Sequence, residues 1–334
     1  MTESVMVTGA NGFVGVPLCA SLQSVGYQVN AVTRDSVNGD SSIQIGNIGP
    51  ETKWAEALRP QQQPLGGHRG TVDIVIHLAA RVHVMNDDKK SEWSQEYSSI
   101  NTEGTLNLAK QAADAGVRRF IYLSTIKVNG EGQALGSCTE RYDELSVPSP
   151  EGPYAISKWE AEQGLRDVER STGMEVVILR PPLVYGPGVG ANFLQLLRYV
   201  DKGLPFPFGA VSNRRSLLFL GNLVDAIVLC AGHPSAAGGL FLLSDGADMS
   251  TPALIRKLGQ GLGKPVRIWS IPPKWLLAAG KFLGKKTQLK RLFGSLIVDS
   301  NKIVQELGWV RPYSVDQALA VTADWFRQSK SGSR

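Results

Sequence analysis

One stretch constrains this chain more than any other: Val5-Met6-Val7-Thr8-Gly9-Ala10-Asn11-Gly12-Phe13-Val14-Gly15. An apolar, strand-like run passes directly into glycines spaced G-x-x-G-x-x-G, and an apolar helical pattern follows. The first glycine permits a tight turn, the second lets backbone approach a pyrophosphate, and the third lets helix meet strand. The helix N-terminus then faces the phosphates with its unpaired amides. The arrangement reads as a dinucleotide cradle. The plain alternative is a glycine-rich turn that holds no ligand.

The remaining pattern agrees with that opening. Strands are expected at Val5 to Thr8, Gln28 to Thr33, Val72 to Leu78, Arg119 to Ser124 and Glu175 to Leu179, and helices at Phe13 to Val25, Ser99 to Ala115 and Tyr154 to Ser171. Such alternation gives an α/β, Rossmann-type, doubly wound and mostly parallel sheet. Arg59 to Gly70 reads as a polar surface loop. After Pro181, prolines and glycines cluster, and a smaller C-terminal substrate-binding lobe is expected. The division is residues 1–180 for the dinucleotide-binding domain and 181–334 mainly for the lobe, with segments such as Gly239 to Ser244 returning to the main sheet.

With 43% apolar and 19% charged residues the chain is globular. Its net charge of +5 suits a cleft for a phosphorylated ligand and carries no dense basic block of the kind nucleic acid would require. Cys19, Cys138 and Cys230 lack metal spacing, so no metal is expected and the thiols read as reduced, in a cytoplasmic protein. No signal peptide or membrane-crossing run is read. Pro272 to Phe293 is basic and amphipathic. It reads as a helical hairpin on the small lobe, with a membrane-surface or partner-binding face as the alternative.

The second strand ends Val32-Thr33-Arg34. A dinucleotide with a free ribose 2′-hydroxyl usually meets an acidic residue there, whereas an arginine suits a 2′-phosphate. Thr33 and Arg34 therefore favour NADP(H). Asp35 keeps NAD(H) open. Further on, Tyr154-x-x-x-Lys158 lies where both side chains share a helix face. Such a lysine can depress the phenol, which then exchanges a proton with a carbonyl or alcohol. Ser124-Thr125 closes the preceding strand.

These motifs resemble the extended short-chain dehydrogenase/reductases of the NAD-dependent epimerase/dehydratase type, which act on nucleotide sugars. The resemblance also rests on His77-Leu-Ala-Ala80, Asn101-Thr-Glu-Gly-Thr105, Tyr122-Leu-Ser-Thr125, Arg180-Pro-Pro-Leu-Val-Tyr-Gly-Pro187, Asn222-Leu-Val-Asp-Ala226 and Leu307-Gly-Trp309. It implies that Thr125, Tyr154 and Lys158 are catalytic. It implies cofactor contacts from Gly9, Asn11, Gly12, Phe13, Val14, Gly15, Thr33, Arg34, Asn47 and Ile48. Leu78, Ala79, Ala80, Asn101 and Pro181 join them, with Tyr154 and Lys158. The implied contacts to a UDP-sugar come from Arg81, Thr125, Lys127, Tyr154, Asn192 and Arg215. His77 is expected to be architectural, and Asn101 to brace the nearby strand and loop. A homodimer through the helices near 100–115 and 154–171 is the assembly the resemblance implies.

Two departures narrow the reaction. The family's 4,6-dehydratases follow their threonine with Asp-Glu, whereas Thr125 is followed by Ile126-Lys127, which argues against elimination. Leu183 stands where relatives often carry asparagine. Lys127 reads either as a brace for a substrate anion or as a partner of Glu131. The phrase Ser124 to Glu131 resembles a bacterial branch that reduces UDP-2-acetamido-2,6-dideoxyhexos-4-uloses for surface polysaccharides, including the O-antigen of lipopolysaccharide. NADPH-dependent 4-ketoreduction is thus the favoured reading. A 4-epimerase with tightly held NAD is the alternative, and a non-catalytic dinucleotide-binding regulator a third.

Overall fold

The computed structural model describes residues 3–35, 42–60, 70–82, 90–133, 141–282 and 292–331. Most of the expected Arg59–Gly70 loop, Cys138 and part of the 272–293 segment lie outside them. The main sheet contains β1 (Ser4–Thr8), β2 (Gln28–Thr33), β3 (Ile43–Gln44), β4 (Ile74–His77), β5 (Arg119–Leu123), β6 (Glu175–Arg180) and β9 (Leu240–Leu242). Their order is β3-β2-β1-β4-β5-β6-β9, and every pairing is parallel. β1 and β4 are buried along their whole lengths, as strands covered on both faces must be. The order reverses between β1 and β4. Ligands of open α/β sheets bind at the strand ends beside such a switch.

Helices α1 (Gly15–Ser24), α2 (Lys90–Tyr97), α3 (Gly104–Ala115) and α4 (Gly152–Thr172) belong to the N-terminal half. One core packs Leu18 and Leu22 of α1 and Leu223, Ile227 and Cys230 of α6 (Leu220–Gly232) against β1, β4 and β6. The opposite face holds Leu108 and Ala112 of α3 and Ala161 and Leu165 of α4. Arg119 ties α6 down across the sheet. Its Nη1 donates to the carbonyls of Cys230, Ala231 and His233 at 2.7–2.9 Å, and its Nε to Glu175 at 2.6 Å.

After β6 the chain forms β7 (Leu183–Tyr185), α5 (Ala191–Asp201) and β8 (Leu217–Phe219) before α6 and β9. It continues through α7 (Thr251–Leu262), α8 (Pro273–Phe282), α9 (Asn301–Leu307) and α10 (Val315–Ser331). A separate core gathers Phe193, Leu197, Phe206, Leu258, Leu319 and Phe326. Leu218, Phe241, Ile303 and Trp309 instead join the main-sheet core.

All three expected helices differ at a boundary from the sequence reading, α4 starting at Gly152 and not at Tyr154. α1 starts at Gly15 and not at Phe13, because Asn11 to Val14 complete the turn before regular helix begins. The expected helix from Ser99 is interrupted by a π-helical segment, Ser98–Glu103, ahead of α3. A wide turn of this kind re-aims side chains, here burying Asn101 and Thr102.

Candidate active site

The glycine turn sits at the C-terminal end of β1. Gly9 has φ +68°, and a Cβ there would lie 3.1 Å from the Ala79 nitrogen, so β1 and the end of β4 approach closely. A Cβ on Gly15 would meet the Gly9 carbonyl oxygen at 2.1 Å. The Gly12 N–H closes the turn onto that same carbonyl at 2.9 Å. Val14 caps α1 without a side-chain hydrogen bond, while the Val16 N–H donates to the Gly12 carbonyl at 3.1 Å and Pro17 has no N–H, so an anion at this end would meet the amides of the turn itself. The turn therefore fits a dinucleotide pyrophosphate.

The flanking contacts are ordered by short polar links. The Ala79 N–H donates to the Thr8 hydroxyl at 3.2 Å. His77 joins two threonines, with Nδ1 2.7 Å from Thr8 Oγ1 and Nε2 3.0 Å from Thr105 Oγ1. Burial, aided by the charge of Lys158, pushes the imidazole pKa down to about 3. His77 is a neutral cross-brace. Leu78 packs partly against the main core, and Ala79 and Ala80 stay half-buried. Asn101 accepts from the Arg81 N–H at 2.8 Å and donates to the Arg81 carbonyl at 3.1 Å and to Ser157 at 3.1 Å. It braces the loop after β4 against α4.

At the end of β2, Thr33 donates to the Asp35 carbonyl at 3.0 Å. Arg34 Nε and Asp35 Oδ2 form an exposed ion pair at 2.9 Å. The two side chains that bear on cofactor choice thus hold each other. The Asn47 carbonyl accepts from Thr52 at 3.3 Å, and Ile48 packs beneath the start of α3.

Thr125, Tyr154 and Lys158 converge beyond β5. Thr125 is extended and caps a 3₁₀ turn over Ile126–Val128, whose Ile126 N–H donates to the Pro181 carbonyl at 2.9 Å. Tyr154 and Lys158 lie one turn apart on α4. Lys158 Nζ donates to the Leu123 carbonyl at 2.9 Å and stands 4.5 Å from the Tyr122 ring centre. Burial drives the ammonium pKa from 10.5 to about 7, against the pull of Glu162. The Tyr154 phenol is raised to about 12 by burial, with the Thr125 hydrogen bond lowering it and Tyr97 raising it. This corrects the expected depression of the phenol by Lys158. The lysine charge is directed at the Leu123 carbonyl and the Tyr122 ring.

Sequence reasoning missed the support behind this triad. Glu162 lies one turn after Lys158 and is buried. It accepts from the Ser124 hydroxyl, from Arg180 Nε at 3.0 Å and from Arg180 Nη2. Arg180 Nη1 reaches Asn129 at 2.9 Å. The Lys158-to-Glu162 spacing was the available signal, since it puts both on one face of a helix.

The expected substrate residues divide. Lys127 Nζ lies 2.9 Å from Glu131, the pairing that one of its two readings expects. Glu131 also raises the pKa of Arg215, which burial lowers. Arg215 Nη1 donates to the Gly294 carbonyl at 3.2 Å. Lys127, Glu131 and Arg215 thus form one charged group beside Thr125. Arg81 pairs with Glu96 and faces the Tyr97 ring at 5.8 Å. Asn192 is exposed in the first turn of α5, next to Ala191, whose φ is +49°.

Comparison with known proteins places this geometry. Residues 5–242 match the model of the NAD dependent epimerase/dehydratase family. A Vibrio cholerae protein named UDP-glucose 4-epimerase is 43% identical over 99% of this chain and 98% of its own. An Escherichia coli O157:H7 protein named N-acetyl-alpha-D-glucosaminyl-diphospho-ditrans,octacis-undecaprenol 4-epimerase is 27% identical over 97% of this chain and 96% of its own. The fold is shared with the crystal structure of a Thermotoga maritima UDP-glucose 4-epimerase with UDP-glucose, at TM-score 0.74 and 22% identity, over 98% of this chain and all of that one. A Streptomyces venezuelae dTDP-glucose 4,6-dehydratase with NAD bound gives TM-score 0.74 at 24% identity, over 99% of this chain and 98% of its own. With its glycine turn, its tyrosine and lysine one turn apart on α4, and a family match over most of its length, the chain belongs to the NAD dependent epimerase/dehydratase family.

Proposed function

We propose that the protein reduces the C4 ketone of a UDP-4-keto-6-deoxy-N-acetylhexosamine with NADPH, supplying a precursor for bacterial surface polysaccharide. The observation that carries this reading is the end of β2, where Thr33 and the exposed Arg34 stand in place of an acid for the ribose 2′-hydroxyl, as NADPH would need. Tyr154, hydrogen-bonded to Thr125, is the group that would protonate the oxygen on C4. Lys127 beside Thr125 is tied to Glu131 at 2.9 Å, so the positions where a dehydratase has its elimination acids carry Ile126 and an ion-paired lysine.

Gly9, Gly12 and Gly15 hold the pyrophosphate, and Arg34 supports a 2′-phosphate by exchanging its Asp35 contact. When bound, the nicotinamide supplies hydride to C4. Thr125 and Tyr154 hydrogen-bond the oxygen on that carbon, and Tyr154 delivers the proton as negative charge develops there. Lys158, one turn along α4 from Tyr154, would orient the nicotinamide ribose. Arg215 provides the fork for the diphosphate. A homodimer through the α3 and α4 face accompanies this reading, and sedimentation velocity tests it.

A 4-epimerase is the second reading, favoured by the 43% identical relative of that name and by NAD in a fold neighbour. One assay separates the two. The purified protein is offered UDP-4-keto-6-deoxy-GlcNAc with NADPH or NADH, and separately UDP-GlcNAc or UDP-glucose with no added dinucleotide. Oxidation of NADPH only with the keto sugar is the expected result. Interconversion of C4 epimers without added dinucleotide would overturn ketoreduction in favour of epimerisation. Tyr154→Phe is expected to lower turnover by about 10²–10⁴-fold while leaving dinucleotide binding intact.

A further inference from the structure

The basic segment singled out in the sequence is not used by the proposed chemistry, and its exposed face has a composition of its own. Between Asp248 and Asp299 the chain carries no acidic residue. Arg256, Lys257, Lys264, Arg267, Lys274 and Lys281 fall in this stretch, and the sequence stays basic through Arg291. In a chain whose net charge is only +5, this stretch of sequence is strongly one-signed, with Lys257 alone of those named paired to a carboxylate, Asp316 of α10, among the described residues.

The structure shows what accompanies the charge. Residues 266–270 run extended beside 206–209, with the Phe206 N–H donating to the Arg267 carbonyl at 2.8 Å and the Trp269 N–H to the Phe206 carbonyl at 2.8 Å. Side chains alternate along such a segment. Val266 and Ile268 therefore pack into the lobe core, and Arg267 and Trp269 turn outward. After Pro272, helix α8 half-buries Leu276 and Leu277 and exposes Lys274, Trp275 and Ala278. Trp269 and Trp275 are 58% and 75% exposed. A merely solvated basic face would have no reason to present two tryptophans. Adjoining Val266 is a shallow cavity of about 370 Å³, lined in part by Arg256, Gln260 and Lys264 and of a size for a phosphate headgroup.

We propose that this face of the small lobe, from Lys264 through Ala278, docks on an anionic phospholipid surface. Tryptophan seats at the headgroup level while lysine and arginine meet the lipid phosphates. Among the described residues no helix is long and apolar enough to cross a membrane, so the attachment is a surface one. Phe208, which bridges to Ser270, stands 5.7 Å ring to ring from Phe293, and the neighbouring Gly294 carbonyl accepts from Arg215. The proposed face thus adjoins the segment that holds Arg215.

The test uses the full chain in co-sedimentation with phosphatidylcholine vesicles, with and without a phosphatidylglycerol fraction, at low and high salt. Binding is expected only with phosphatidylglycerol and is lost at high salt. Arg267→Glu and Lys274→Glu should each weaken partitioning by about fivefold or more. Brominated lipid should quench wild-type fluorescence more than that of Trp275→Ala. Unchanged dinucleotide binding by all three variants shows that they fold. No binding to anionic vesicles, or equal binding to neutral ones, overturns the proposal. Equally tight binding to soluble poly-glutamate also overturns it and points to an acidic polypeptide.

Discussion

Replacing Lys158 with methionine is expected to stabilise the dinucleotide-free protein at acidic pH while removing activity. In the fold, burial lowers the Lys158 pKa from 10.5 to about 7. Below pH 7 both folded and unfolded chains carry the proton, and the full cost of the buried charge weighs on the fold. The gap between 10.5 and about 7 corresponds to about 5 kcal/mol, at about 1.4 kcal/mol per pKa unit. Methionine removes that cost but leaves the Leu123 carbonyl without its 2.9 Å donor, a loss of about 1–3 kcal/mol. The variant should therefore be more stable by about 2–4 kcal/mol at pH 6.

Raising the pH changes the balance. From pH 7 to 10.5 the native lysine has released its proton while the unfolded lysine keeps it, so wild-type stability climbs with pH. By pH 9.5 about 3 kcal/mol of the burial cost is relieved, and the two proteins should agree to within about 1 kcal/mol. Urea unfolding of both proteins at each pH measures the difference, and groups common to both cancel. A variant less stable than wild type at pH 6, or a gap that does not change with pH, would refute the reasoning.

Three further outcomes are expected. Glu162→Gln breaks the buried pair with Arg180 and should cost about 3–5 kcal/mol in chemical denaturation; it should also lower the Lys158 pKa, since Glu162 now raises it, and an unmoved pH–rate profile would count against that link. Gly15→Ala forces a Cβ to 2.1 Å from the Gly9 carbonyl oxygen, so dinucleotide binding should be lost by calorimetry even where folded protein is recovered. Arg34→Ala frees Asp35 from its partner and should weaken NADPH more than NADH in fluorescence titration, whereas equal weakening would show that Arg34 does not read the 2′-phosphate.

The sequence alone determined the glycine turn, the alternation that builds a parallel sheet, and Thr125, Tyr154 and Lys158 as a set. These are legible because turn sterics, strand burial and helix-face spacing are local or short-range rules. Residues 154 and 158 share a face in any α-helix. The π-helical turn at Ser98–Glu103 was not legible, because Asn101 is drawn inward by backbone groups of Arg81, twenty residues distant. Nor was the state of the titrating groups. The Tyr154 phenol is raised and the Lys158 ammonium lowered because both are enclosed by elements remote in sequence, and desolvation depends on that enclosure and not on spacing. The grouping of Lys127 and Glu131 with Arg215, and the Glu162–Arg180 pair between α4 and β6, likewise exist only once β5, α4, β6 and the segments after β6 are packed together. Local chemistry chose the side chains, and tertiary burial decided their charges and partners.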